Sequence, residues 1–150
     1  MKFKALSAAL LLIGAAPPAV AQPPMLYDAR NVPIGTLLWQ NEILMRIRGQ
    51  DYWLNATMQG LVNDAEFFYS SGNCSGTPYL EFSTGWYMVP YAVVDGVSIW
   101  GPITSEETTL DVKSYGRGPS SCSPYETTTL AAPAQIIEST VAFRSPYSVR

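Results

Sequence analysis

Residues 42–57 read EILMRIRGQDYWLNAT, in which apolar and polar side chains alternate on both sides of Gly49-Gln50. Alternation of this kind is typical of a β-strand with one face in the core. A glycine followed by another residue suits a two-residue hairpin turn of type II′, with the glycine at the first turn position. The segment therefore predicts a β-hairpin in which Arg48 faces Asp51.

This register gives the hairpin one wholly apolar face. Its members are Ile43, Met45, Ile47, Tyr52, Leu54 and Ala56. We expect that face in the core, because a slip of one residue would turn every apolar side chain outward. On the outer face Arg46 lies opposite Trp53, which predicts a cation–π contact worth about 0.5–1 kcal/mol if exposed. Arg46, Arg48, Asp51 and Trp53 are there a candidate ligand-binding surface, although ordinary cross-strand pairing explains the same residues.

A second hairpin is predicted at Asp95-Gly96, a strong signal for a type I′ turn between two apolar runs. Its register places Tyr91 opposite Trp100, and these two residues are further candidates for ligand binding. If exposed, the two rings would form a stacking platform for a sugar or an aromatic group. The alternative is a central hairpin that is buried on both faces. The remaining face is apolar and consists of Ala92, Val94, Val97 and Ile99.

Short runs rich in β-branched and aromatic residues follow one another between turns, and no helical period is sustained. We predict one all-β domain over residues 22–150, an antiparallel sandwich or barrel of about 8–12 short strands with a loose tail from about residue 131. The candidate strands are 25–28, 36–40, 42–48, 51–58, 66–70, 79–83, 86–89, 91–94, 97–100, 108–115, 125–130 and 136–143.

The first 21 residues carry the features of a cleaved signal peptide. Lys2 and Lys4 precede an apolar run over residues 6–16, and Ala19-Val20-Ala21 resembles a cleavage site. The apolar run is shorter than the roughly 20 residues that a spanning helix needs. We therefore expect a mature chain that begins at Gln22, is exported to the periplasm or the medium, and is not inserted in the membrane.

Cys74 and Cys122 are the two cysteines of the chain. In an exported protein such a pair predicts a structural disulfide rather than a metal site. Both cysteines lie in segments rich in Gly, Ser and Pro, where loops are expected. A reactive pair is disfavoured, because the chain has neither a Cys-X-X-Cys spacing nor a histidine.

Charge and composition exclude several classes of function. Without Lys2 and Lys4 the chain carries seven Lys and Arg against twelve Asp and Glu, a net charge of −5, which disfavours nucleic-acid binding. The absence of histidine removes Ser-His-Asp and Cys-His catalysis and the usual zinc sites. The sequence also has no phosphate-binding or dinucleotide-binding glycine motif, so we expect neither a cofactor nor a metal.

Residues 68–79, FYSSGNCSGTPY, resemble a loop motif of small exported bacterial β-domain proteins whose activity is uncharacterised. Those proteins often carry an earlier segment similar to YDARNVPIG, residues 27–35. The resemblance extends from about Tyr27 to Cys122 and implies a fold, but it brings no catalytic residues. Arg30 and Asn31 depart from the family pattern, which more often has turn residues with glycine at this point.

We therefore predict an exported, non-catalytic module that binds a protein or glycan of the cell envelope or its surroundings. A carbohydrate-binding module is one alternative and requires Trp53 and Trp100 to be exposed on one surface. An inhibitor of an exported enzyme is another and would present the loop 71–78. A small histidine-free glycosidase or lyase would need two carboxylates, and nothing in the sequence selects two from Asp28, Glu42, Asp51, Asp64, Glu66, Glu81, Asp95, Asp111 and Glu126.

Overall fold

The structure is a computed structural model that describes residues 22–82 and 88–150. Within these two ranges it confirms the all-β prediction, with twelve strands in two antiparallel sheets that form a sandwich or half-barrel. The candidate strands over residues 79–83 and 86–89 fall partly outside the described residues. The strands are β1 (Met25–Tyr27), β2 (Pro33–Leu37), β3 (Glu42–Ile47), β4 (Gln50–Thr57), β5 (Gly60–Leu61), β6 (Phe67–Tyr69), β7 (Tyr79–Glu81), β8 (Val93–Val94), β9 (Ser98–Pro102), β10 (Thr108–Gly116), β11 (Cys122–Ser139) and β12 (Ser148–Val149).

Short helical turns are the other regular elements of the described ranges. They are 3-10 turns at Thr104–Glu106, Pro119–Ser121 and Thr140–Ala142. In the part of the chain that the structure describes, no helix has the length and apolar character needed to cross a membrane.

The first sheet has the order β12-β1-β2-β3-β4-β5, and its central hairpin is the one predicted at residues 42–57. The predicted apolar face is confirmed, because all six of its side chains are buried. The register differs: Arg46 faces Asp51 and Ile47 faces Gln50. Arg48 (φ 50°) and Gly49 (φ 88°) are the two turn residues, as in a type I′ turn. Glycine thus takes the second turn position, which moves every partner by two residues and leaves each side chain on its predicted face.

The turn of the second hairpin is also displaced by one residue, but towards the C-terminus. Val93 faces Trp100 and Val94 faces Ile99, so Tyr91 does not lie opposite Trp100 as predicted. Gly96 (φ 98°) is the first turn residue rather than the second. Asp95 precedes the turn because its Oδ1 accepts hydrogen bonds from the amides of Val97 (2.9 Å) and Ser98 (2.7 Å). Val97, expected on the apolar face, is therefore at the turn and 67% exposed.

The second sheet has the order β10-β6-β7-β11-β9-β8, and β10 also pairs with β11. Strand β11 is 18 residues long and joins the two predicted strands 125–130 and 136–143 through residues 131–135. It pairs first with β10, then with β7 and finally with β9. The stretch after residue 131, predicted as a loose tail, therefore continues this strand, with Ala131 and Ala132 fully buried, and later contributes β12 to the first sheet.

Cys74 and Cys122 form the predicted disulfide, with Cα atoms 5.6 Å apart. It joins the loop between β6 and β7 to the start of β11. The loop is also held by Ser114, whose hydroxyl accepts a hydrogen bond from the Cys74 amide (3.0 Å) and donates one to the Ser71 carbonyl (2.6 Å). Cys74 and Ser114 are both buried, so the loop is anchored at its centre.

A buried carboxylate ties the β1–β2 turn to the C-terminal segment. Asp28 is 3% exposed, and it accepts hydrogen bonds from the amides of Arg30 (2.8 Å) and Val32 (3.0 Å). The Arg30 guanidinium adds bonds of 2.9 and 2.7 Å, and the Arg144 amide one of 3.3 Å. Burial by itself favours the neutral acid, but the hydrogen bonds from Val32, Arg30 and Arg144 outweigh it and hold the pKa of this carboxyl well below its usual range.

Replacing Asp28 with Asn should lower the melting temperature at neutral pH. It should also make the melting temperature fall less steeply as the pH is lowered. The pKa of Asp28 in the folded state lies below its ordinary value of 3.8, so the ionised side chain stabilises the fold fully above that value and progressively less as the pH falls through it. Thermal unfolding between about pH 2 and pH 7 measures this slope. Glu106→Gln, at an exposed acid, should keep the wild-type slope, and an unchanged slope in Asp28→Asn would contradict the assignment.

Candidate functional site

Trp53 of β4 and Tyr91 join the two sheets. The Trp53 amide donates to the Pro90 carbonyl (3.1 Å), and the Ala92 amide donates to the Trp53 carbonyl (2.9 Å). These bonds form a parallel bridge between β4 and the segment that leads into β8. Because a parallel bridge places the two side chains beside each other, the rings of Trp53 and Tyr91 pack with centroids 4.1 Å apart at a tilt of 39°.

A cleft of about 350 Å³ opens beside this aromatic pair. Trp53 reaches it from the first sheet, whereas β6, β7 and β8 of the second sheet supply Phe68, Leu80 and Val93. The described lining residues are Trp53, Asp64, Glu66, Phe68, Leu80, Glu81, Tyr91 and Val93, and none of these is basic.

Asp64 is the best-anchored acid of the cleft. Its Oδ2 accepts hydrogen bonds from the Tyr91 hydroxyl (2.6 Å) and the Asn55 amide group (2.9 Å), and its Oδ1 accepts one from the Val94 amide (3.1 Å). Burial, together with the hydrogen bond to Asp64 and its charge, raises the pKa of Tyr91 well above its usual range. Tyr91 therefore keeps its proton and holds this carboxylate in place.

Glu66 and Glu81 are the less constrained acids of the cleft, and both residues are exposed. The Thr129 hydroxyl donates to Glu81 Oε1 at 3.1 Å. Within residues 22–82 and 88–150, no hydrogen bond or ion pair engages Glu66. These two carboxylates can therefore accept hydrogen bonds from a ligand, or balance its charge, without breaking a strong contact inside the protein.

The remaining candidates of the first hairpin do not line this cleft. Arg46 forms an ion pair with Asp51 (3.1 Å) and also donates to the Gly49 carbonyl (2.8 Å). Arg48 lies exposed in the turn. The predicted cation–π pair of Arg46 with Trp53 is therefore wrong, because the shift in register brings Arg46 opposite Asp51 and leaves Trp53 opposite Leu44.

Trp100 of β9 is half-buried against the core of the second sheet. Its indole N–H donates to Asp95 Oδ2 (2.8 Å), and its ring packs edge-to-face against Phe67 with centroids 5.2 Å apart. Its cross-strand partner Val93 is 3% exposed. Burial favours the neutral form of Asp95, but the hydrogen bond from Trp100 and those from the turn amides hold the pKa of Asp95 below its ordinary value. The predicted pairing of Tyr91 with Trp100 is therefore wrong, because the register places Val93 and not Tyr91 opposite Trp100.

The cleft was only partly visible in the sequence. Trp53 and Tyr91 were named as candidates, but on two separate surfaces, and Asp64, Glu66 and Glu81 were three of nine equivalent acids. The missing signal is the parallel bridge between Trp53 and Tyr91, since a contact between segments that are distant in the chain leaves no local pattern. Among the described residues, no group of three or more acidic or cysteine side chains is close enough together to hold a metal ion.

Comparisons of the chain with protein-family models, with curated proteins and with solved structures found no match. The fold and the cleft define a disulfide-linked β domain of two sheets with an aromatic and acidic cleft.

Proposed function

We propose that the mature chain is an exported, non-catalytic binding module of the cell envelope or its surroundings, and that the cleft beside Trp53 and Tyr91 is its ligand site. The observation that carries the proposal is that aromatic rings from both sheets line one cavity together with the carboxylates of Asp64, Glu66 and Glu81. Its volume of about 350 Å³ lies within the range of small-ligand sites, roughly 300–1,000 Å³. The signal-like leader and the disulfide support export, because disulfides persist in oxidising compartments.

Replacing Trp53 with Ala should weaken ligand capture by at least about tenfold, since its indole is a large apolar ring that lines the cleft. Oxidised wild-type protein, residues 22–150, would be immobilised and exposed to envelope and culture-surface extract, with captured proteins and glycans both identified. The Trp39→Ala variant is the matched control, because Trp39 is 66% exposed and does not line the cleft. If the Trp53→Ala variant captures the ligand as well as the Trp39→Ala variant does, the assignment of the cleft as the ligand site is contradicted.

A carbohydrate is one ligand compatible with this site. The aromatic surface differs from the pair that the sequence suggests, because it consists of Trp53 with Tyr91 rather than Trp53 with Trp100. Sugar rings stack on aromatic faces, and their hydroxyl groups donate to carboxylates such as Glu66 and Glu81. Retention of a glycan by the wild type and Trp39→Ala, together with its loss in Trp53→Ala, would identify this class of ligand.

The second candidate function is hydrolysis or elimination at a glycosidic bond, favoured by the acids that line the cleft. Asp64, Glu66 and Glu81 are all candidates for the carboxylate pair that such chemistry requires. A screen of polysaccharide substrates with the wild type, Glu66→Gln and Glu81→Gln separates this function from binding. Product formation that either substitution abolishes, with ligand capture retained, would show catalysis and replace the binding proposal.

A further inference from the structure

We propose that the cleft selects a small organic cation of the alkylammonium type, an inference that rests on the proposed function. The lining combines aromatic rings with carboxylates, and it includes no basic residue among those that the structure describes. An ammonium group is attracted to the face of an aromatic ring and to a carboxylate alike. Quaternary ammonium groups are recognised in this way by cages of aromatic side chains.

The hydrogen bonds of the cleft separate its acids into two kinds. Asp64 already accepts bonds from Asn55, Tyr91 and the Val94 amide, so its charge is partly balanced by donors. Glu66 has no such donor within the described residues, and Glu81 has the Thr129 hydroxyl. The negative charge that a ligand meets is therefore greatest at the two glutamates, and a cation would balance it where a neutral sugar would not.

The aromatic pair limits how the cation sits. Trp53 and Tyr91 pack on each other with centroids 4.1 Å apart, so the ring faces that meet in this pair are not open to a ligand. The Tyr91 hydroxyl donates to Asp64, which orients the phenol ring independently of any ligand. An alkylammonium head that contacts these rings while Glu66 and Glu81 face its charge satisfies both features of the cavity.

Choline and 3,3-dimethyl-1-butanol test this inference, because the alcohol has the shape of choline but carries a neutral carbon in place of the charged nitrogen. Isothermal titration would use the oxidised mature protein with each compound. We expect choline to bind at least about tenfold more tightly than the alcohol. Equal binding of the two compounds, or the absence of choline binding, would overturn the inference.

The Glu66→Gln/Glu81→Gln variant should lose about tenfold or more of its choline affinity, because glutamine keeps the shape of glutamate and removes its charge. The Glu106→Gln/Glu107→Gln variant makes the same change in net charge at two exposed acids outside the cleft and should bind as the wild type does. Equal losses in both variants would overturn the inference, because they would show a diffuse effect of net charge.

Two further titrations separate this inference from the proposed function and identify the source of the cation. One outcome is that methyl β-D-glucopyranoside binds the wild type but not Trp53→Ala, and that choline does not bind. This result would support the cleft as the ligand site and overturn the inference of a cationic ligand. Phosphatidylcholine vesicles present the same ammonium group on a membrane. If the protein floats with these vesicles but does not bind free choline, the inference of a small soluble ligand is overturned and a lipid head group is indicated.

Discussion

Removing the disulfide, by replacing Cys74 and Cys122 with Ala together, should lower the free energy of unfolding by about 4 kcal/mol. The two cysteines are 48 residues apart, so the bond restricts a long loop of the unfolded chain. Typical domains are stable by only about 5–15 kcal/mol, which makes this a large share of the total. Urea unfolding of the oxidised wild type and the double variant, followed by tryptophan fluorescence, measures the difference.

The loop should still reach its folded position in the double variant, because Ser114 bonds the Cys74 amide and the Ser71 carbonyl without the sulfur atoms. The dependence of stability on urea should become steeper, since the unfolded chain without a cross-link exposes more surface. Reductant should move the wild type towards the double variant and leave that variant unchanged. A double variant within about 1 kcal/mol of the oxidised wild type would contradict the loop-closure explanation.

Replacing Leu54 with Ala should lower the free energy of unfolding by about 3 kcal/mol. Leu54 of β4 is fully buried in the first sheet, where it faces Ile43 across the hairpin. Its truncation removes apolar contacts and leaves a cavity that neighbouring strands can close only in part. Thermal and urea unfolding of the variant measure the loss.

The matched control is Leu44→Ala, at the same residue type on the neighbouring strand. Leu44 faces Trp53 on the outer side of the hairpin and is only half-buried, so its truncation should cost about 1 kcal/mol. Together the two variants test which face of the hairpin is in the core. Equal losses, or a larger loss at Leu44, would contradict the faces that both the sequence and the structure assign.

The sequence predicted which face of a strand is buried better than it predicted which residues lie opposite each other across a hairpin. Alternation in β3 and β4 identified every buried residue of their apolar face, because the side-chain period of a strand is a local property. The turns were displaced by one residue, since a glycine with positive φ fits either position of a two-residue turn, depending on its type. At Asp95 the carboxylate accepts two amide hydrogen bonds, which places the turn after this residue.

The candidate site was predicted less well than the fold. Trp53 and Tyr91 were recognised as aromatic residues able to bind a ligand, but their partners were assigned as Arg46 and Trp100. Arg46 instead forms an ion pair with Asp51, and the Trp100 indole donates a hydrogen bond to Asp95. The three acids of the cleft had no local feature that distinguished them from the other acids of the chain.

The sequence by itself determined the class of fold, the core face of the central hairpin and the pairing of Cys74 with Cys122. These follow from composition, from a period of two and from the presence of only two cysteines. Tertiary structure alone decided the burial of Asp28, the parallel bridge between Trp53 and Tyr91 and the acids that face the cleft. The reason is that each of these depends on which distant segments pack together, and hydrophobic burial selects that packing over the whole chain rather than within any one segment.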